Sequence, residues 1–142
     1  MGEVVRQAVR EVWSELGVSG HLEALEAVDA DLESVLGADG VIFVTPARFG
    51  ALAGLVKDFL ERIYPWFDEV PDVRPGMPWT AVVKGASDPS GAVRDLERIL
   101  TGLRWKPVLP PLQCVGDLDD GHLDAAHELG ATFAAGLAEG LW

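Results

Sequence analysis

Two short stretches hold the residues best equipped for chemistry. The first, Thr45-Pro46-Ala47-Arg48-Phe49-Gly50, sets a hydroxyl, a rigid Pro, a cation, an aromatic ring and a permissive Gly side by side. The second, Gly85-Ala86-Ser87-Asp88-Pro89-Ser90-Gly91, is small, polar and rich in backbone N–H groups. Amides and a guanidinium can hold negative charge, and glycine permits a tight turn. Each residue also has a plainer reading. Arg48 could be a surface cation, Phe49 a loop anchor, Gly50 and Gly91 turn formers, and Ser87 with Asp88 a cap for the helix that follows.

The other candidates are weaker. His122 and His127 are spaced by five on a helical stretch, which puts them on different sides, and no Cys or third His converges on them. A metal site is therefore not expected. Cys114 has no His or Cys near it in sequence and reads as an inert thiol. Ser14, Ser34 and Ser87 sit in no Gly-x-Ser-x-Gly elbow, which argues against a hydrolase. Tyr64, Trp66 and Phe67 flank Pro65 at a helix end and suit packing on the core or on a subunit partner.

Elements that would position the two stretches follow from periodicity. Helical spacing runs through Val5, Ala8, Val9, Val12 and Leu16, and Gly17 stops it. Residues 21–28 alternate loosely and predict an exposed or edge strand; 31–36 predict a short helix with Asp29 or Asp31 as N-cap. The continuous apolar run over 40–45 predicts a strand buried on both faces and ended by Pro46. A helix over about 51–64 follows, with Leu52, Leu55, Val56, Phe59, Leu60 and Ile63 on one stripe.

Beyond a Pro-rich surface connection at 71–78, residues 79–83 predict a second buried strand, and 91–103 another amphipathic helix. Residues 108–115 read as a strand held to a sheet edge by Pro110 and Pro111. A last helix spans about 123–141. The order α-β-α-β-α-β-α-β-α predicts four parallel strands with helices on both faces. In such a sheet, ligands bind at the carboxyl ends of the strands, where both stretches fall.

Composition narrows the partners. One domain is expected over 1–142, since the length suits a single core. With 11 Lys+Arg against 23 Asp+Glu, the net charge of −12 repels phosphate backbones, so nucleic acid is not expected. No apolar run approaches the roughly 18 residues that span a bilayer. The charged first helix is not a secretory signal, and a cytoplasmic location is the expectation.

The run 38–50, with its Asp39-Gly40 pair, apolar strand and Pro46-Ala47-Arg48-Phe49-Gly50 loop, continues into Leu55-Val56-Lys57-Asp58-Phe59-Leu60-Glu61-Arg62. It resembles the third-strand region of flavodoxin-like FMN proteins, in their NAD(P)H-dependent FMN reductase and NAD(P)H:quinone oxidoreductase branch. The later half, from Gly76-Met77-Pro78 to Leu129-Gly130, is similar to the same family. The resemblance implies a flavodoxin-like three-layer αβα fold, N-terminally truncated, because the family's first strand and phosphate loop have no counterpart ahead of the first helix. A lost central strand would leave either a gap beside 41–44 or a direct pairing of 21–28 with 41–45.

The resemblance further implies FMN as cofactor and NAD(P)H as co-substrate, with a quinone or similar small-molecule electron acceptor. Thr45, Pro46, Ala47, Arg48, Phe49 and Gly50 would line the flavin from one loop, and Gly85, Ser87 and Gly91 from the other. No catalytic side chain is implied, because the chemistry belongs to the cofactor. Family habit and the many Trp suggest a homo-oligomer. Two other readings stay open: a non-catalytic flavodoxin-like subunit or binding module, and an electron-carrier flavodoxin, which the acidic charge favours.

Overall fold

In a computed structural model of the chain, residues 1–69 and 75–142 are described. The chain runs α1 (Gly2–Leu16), α2 (Leu32–Leu36), β1 (Val41–Arg48), β2 (Ala51–Leu52), α3 (Gly54–Glu69), β3 (Pro78–Gly85), α4 (Ser90–Gly102), β4 (Lys106–Pro107), β5 (Leu112–Val115) and α5 (Asp120–Ala138). Of the connection expected at 71–78, residues 71–74 lie outside the described residues, and Pro78 already belongs to β3.

The central strand is β3. Its apolar run is buried on both faces, as expected of a strand in a parallel sheet with helices above and below. β1 pairs with it in parallel from Val41↔Trp79 to Pro46↔Lys84. On its other side β5 pairs in parallel from Val82↔Leu112 to Gly85↔Val115, and β4 pairs nearer its start. Of the edge strand expected at 108–115 only β5 forms, with β4 a separate short piece just ahead of that range. Pro110 and Pro111 lack the amides a continuous ladder needs. The buried Thr80 hydroxyl helps bridge the break, donating to the Leu109 carbonyl at 3.2 Å.

β1 departs from expectation twice. Pro46 does not end it; the strand runs on to Arg48 and turns back antiparallel through β2, with Ala47↔Leu52 and Arg48↔Ala51 opposed. Pro46 faces no penalty here beyond its own missing amide, because the parallel ladder ends at that residue. Nor is β1 buried on both faces: Phe43 and Thr45 point into the core, whereas Val44 between them is 41% exposed.

The strand expected at 21–28 does not form, so the direct pairing with 41–45 is absent, and among the described residues no strand lies beside 41–45 on the edge away from β3. Leu25 and Val28 lie exposed, and no alternating face is buried. The Arg62 guanidinium holds the end of this irregular segment instead, donating to the carbonyls of Ala27 and Ala30 at 2.8 Å each. Asp31 does cap α2, accepting the Ser34 amide and hydroxyl, each at 2.9 Å. The sheet therefore has three parallel positions among the described residues, not four.

Two cores flank the sheet. One lies under α2, α3 and α4, where Trp105 stacks on Phe43 with centroids 6.4 Å apart and meets the Phe67 ring edge-on at 5.9 Å. Phe67 and Ile63 explain why α3 runs past Pro65 to Glu69: both are buried on this core. The other core joins α1 and α5 to Val82 and Cys114. Gly130 of α5 lets α1 come close, since a Cβ there would sit 3.0 Å from the Val5 carbonyl oxygen. Trp142 folds back onto Gly136, within reach of Phe133 at 6.5 Å. This leaves Trp66, 52% exposed on α3, as the more available aromatic.

Candidate functional site

The parallel ladder brings the ends of β1 and β3 to the same edge of the sheet, because Pro46 stands beside Lys84. Both stretches singled out by chemistry start there. The first becomes the β1–β2 hairpin, with Phe49 and Gly50 at its tip in the left-handed region (φ 51 and 72). Glycine adopts that conformation freely; phenylalanine does so rarely. The Phe49 ring is fully exposed and is not the core anchor of its plainer reading. A strained residue with an uncovered aromatic side chain at a ligand-bearing edge suits contact with a ring-shaped ligand.

Arg48 and Pro46 are exposed on the same hairpin, and Ala47 is half-buried. Thr45 is different. It is 3% exposed, and its hydroxyl donates to the Pro46 carbonyl at 3.1 Å, so it shapes the start of the hairpin from within.

The second stretch leaves β3 at the buried Gly85, whose carbonyl accepts the Gly116 amide at 2.8 Å. Asp88 then turns the chain into α4: its Oδ1 accepts the Ser90 amide at 2.8 Å and its Oδ2 the Ser90 hydroxyl at 2.9 Å. These bonds hold its carboxyl below the usual carboxylate range. Ser87 is exposed, and α4 has Pro89 as N-cap with no side-chain cap bond; Asp88, one residue ahead of it, bonds Ser90 instead.

The two stretches touch. A Cβ on Gly91 would overlap the Gly50 carbonyl oxygen, so Gly91 serves close approach of α4 to the hairpin tip more than a turn. The Asp95 carboxylate, one turn further along α4, accepts the Leu52 amide at 3.1 Å. Periodicity did not single out Asp95. It lies off the apolar stripe of its helix, and its partner is 43 residues away, beyond any local signal.

The remaining candidates are occupied structurally. His122 takes part in a capping box with Asp119 at the start of α5, and His127 Nε2 lies 2.8 Å from Glu11 Oε2 across the α1–α5 pair. Among the described residues, no three His, Cys, Asp or Glu side chains are grouped to hold a metal ion. Cys114 is buried, and burial followed by the nearby Asp119 charge pushes its thiol up. Among the described residues, no helix is long and apolar enough to cross a membrane.

An FMN ring suits the two joined loops. Gly50 has open space where a side chain would stand, Phe49 is exposed next to it in the chain, and Ser87 is exposed on the second loop. The start of α1, the family's phosphate position by resemblance, has no side-chain cap, and Gly2 likewise meets nothing within 4 Å.

Helices on both faces of a parallel sheet, with two touching loops at its carboxyl edge, define a flavodoxin-like domain. The family model for NADPH-dependent FMN reductase matches residues 13–116, and the chain belongs to that family. Its class is thus that of flavin-binding, FMN-type oxidoreductases of flavodoxin-like fold. No curated protein matches.

Solved structures agree on the fold. Rubredoxin oxygen:oxidoreductase from Desulfovibrio gigas is similar with a TM-score of 0.74 and 14% identity, over 99% of this chain and 33% of that one. An oxidoreductase from Corynebacterium diphtheriae gives 0.71 and 18%, over 96% and 84%. The flavodoxin, WrbA-like protein from Agrobacterium tumefaciens gives 0.69 and 19%, over 96% and 89%.

Proposed function

We propose that the chain is an FMN-dependent NAD(P)H oxidoreductase that passes reducing equivalents to a quinone or similar small acceptor. The observation that carries this reading is the contact between the β1–β2 hairpin and the start of α4, which joins both expected flavin-lining loops at the carboxyl edge. Membership of the NADPH-dependent FMN reductase family supports it.

FMN, when bound, accepts hydride from nicotinamide and returns electrons to the acceptor. The chain's own work is positioning and electrostatics. Pro46, Ala47, Phe49 and Gly50 would hold the ring from one loop, and Gly85, Ser87 and Gly91 from the other. Backbone N–H groups of these loops favour the added negative charge of the reduced ring over bulk water. Arg48, exposed beside Phe49, is a cation available to a nicotinamide phosphate. Asp88 commits both carboxylate oxygens to Ser90, which fixes the turn from the second loop into α4.

Titration of the purified chain with FMN tests this reading through quenching of flavin fluorescence. Saturable quenching is expected, followed by FMN-dependent consumption of NADPH or NADH once a quinone is added. Absence of binding at tens of micromolar FMN overturns the reading.

A further inference from the structure

We infer that Asp95 is a positioning residue for the flavin site, acting with Gly91 to clamp the β1–β2 hairpin against α4. The inference rests on the proposed flavin-binding function and deepens it. A two-residue strand has little stability of its own, because it closes few ladder bonds for the residues it orders. The tip it leads from holds Phe49 in a disfavoured conformation, so something outside the hairpin must hold it in place.

The structure shows two such holds, both from α4. Gly91 lies against the Gly50 carbonyl on one side of the tip. Asp95 accepts the Leu52 amide at 3.1 Å on the returning strand. The Asp95 side chain is 29% exposed and also accepts a bond from Arg98 at 3.1 Å, which fixes its direction. A charged acceptor on a backbone amide in a partly covered setting is stronger than a neutral one. The second loop leads straight into α4, so the same contacts fix its distance from the first. Asp95 touches no ligand in this scheme; it sets the fraction of molecules whose hairpin is ready for the ring. Apparent affinity falls in proportion to that fraction.

The test compares Asp95→Ala, Asp95→Asn and Gly91→Ala in the full chain, with helical content and melting checked by circular dichroism. Readouts are FMN affinity, the bound flavin's absorption spectrum and its midpoint potential. Asp95→Ala is expected to stay folded, bind FMN about tenfold more weakly and shift the spectrum. Gly91→Ala should do the same by pushing the tip away. Asp95→Asn keeps an oxygen acceptor for the Leu52 amide without the charge and should fall between the parent and Asp95→Ala. A folded Asp95→Ala that binds FMN within twofold of the parent, with the parent's spectrum, overturns the clamp alone. An Asp95→Asn that binds FMN more weakly than Asp95→Ala also overturns it, since an oxygen acceptor for the Leu52 amide would then contribute nothing. If the parent chain itself fails to bind FMN, the function reading falls and the clamp falls with it.

Discussion

Single carboxylates set how this chain answers to acid. Asp31 caps α2 through the amide and hydroxyl of Ser34, and Asp88 turns the chain into α4 through those of Ser90. Glu11 bonds to Gln7 and then to His127. In all three, hydrogen bonding to the charged form holds the pKa below its ordinary value. At acidic pH the unfolded chain therefore binds protons that the folded chain does not. The stabilisation is present above the ordinary carboxylate range and drains away as pH falls through the lowered folded values. Urea midpoints measured from neutral to acidic pH should decline in that window. The double variant Asp31→Asn, Asp88→Asn keeps an oxygen acceptor at both turns but removes both titrations, so its decline should be shallower. An acid slope equal to the parent's would assign the effect to other groups.

At the level of elements, β1 carries the least settled backbone in the sheet. Alternate residues of a strand direct their N–H and C=O groups to opposite edges. Along 41–45, β3 is the one ladder partner among the described residues, so the groups on β1's other edge have no strand to pair with. Hydrogen exchange should separate the amides of Val41 to Thr45 into two alternating sets. The set bonded to β3 should exchange slower by on the order of a hundredfold or more. Uniform protection would show that the far edge is paired after all.

The same strand shows what the sequence could and could not reveal. Its apolar run, and that of β3, announced two adjacent strands and the edge where the loops lie. The irregular course of 18–30 was not legible: Leu22 and Ala24 mimic alternation, yet the segment's hold is Arg62, a residue more than thirty positions away. The hairpin was hidden behind Pro46, and its clamp behind Asp95, for the same reason. Long-range side-chain to backbone bonds leave no periodic trace.

For the whole molecule, charge is the property with the longest reach. A net charge of −12 acts against every anionic ligand, and both FMN and NAD(P)H are anionic. Near the loops the balance differs, because Arg48 and Arg94 are exposed there and Lys84 stands at the end of β3. Salt separates the two scales. The screening length is about 30 Å at 0.01 M ionic strength, about 8 Å at 0.15 M and about 3 Å at 1 M. The first increase removes repulsion from the distant acidic surface while leaving contact-range attraction to the arginines largely intact. The second removes that attraction too. KM for NADPH should therefore fall and then rise as ionic strength increases, with its minimum near the physiological range. Arg48→Gln should abolish the rising limb and preserve the falling one. A KM that rises from the lowest salt onward would mean that the local cations outweigh the acidic surface at every distance.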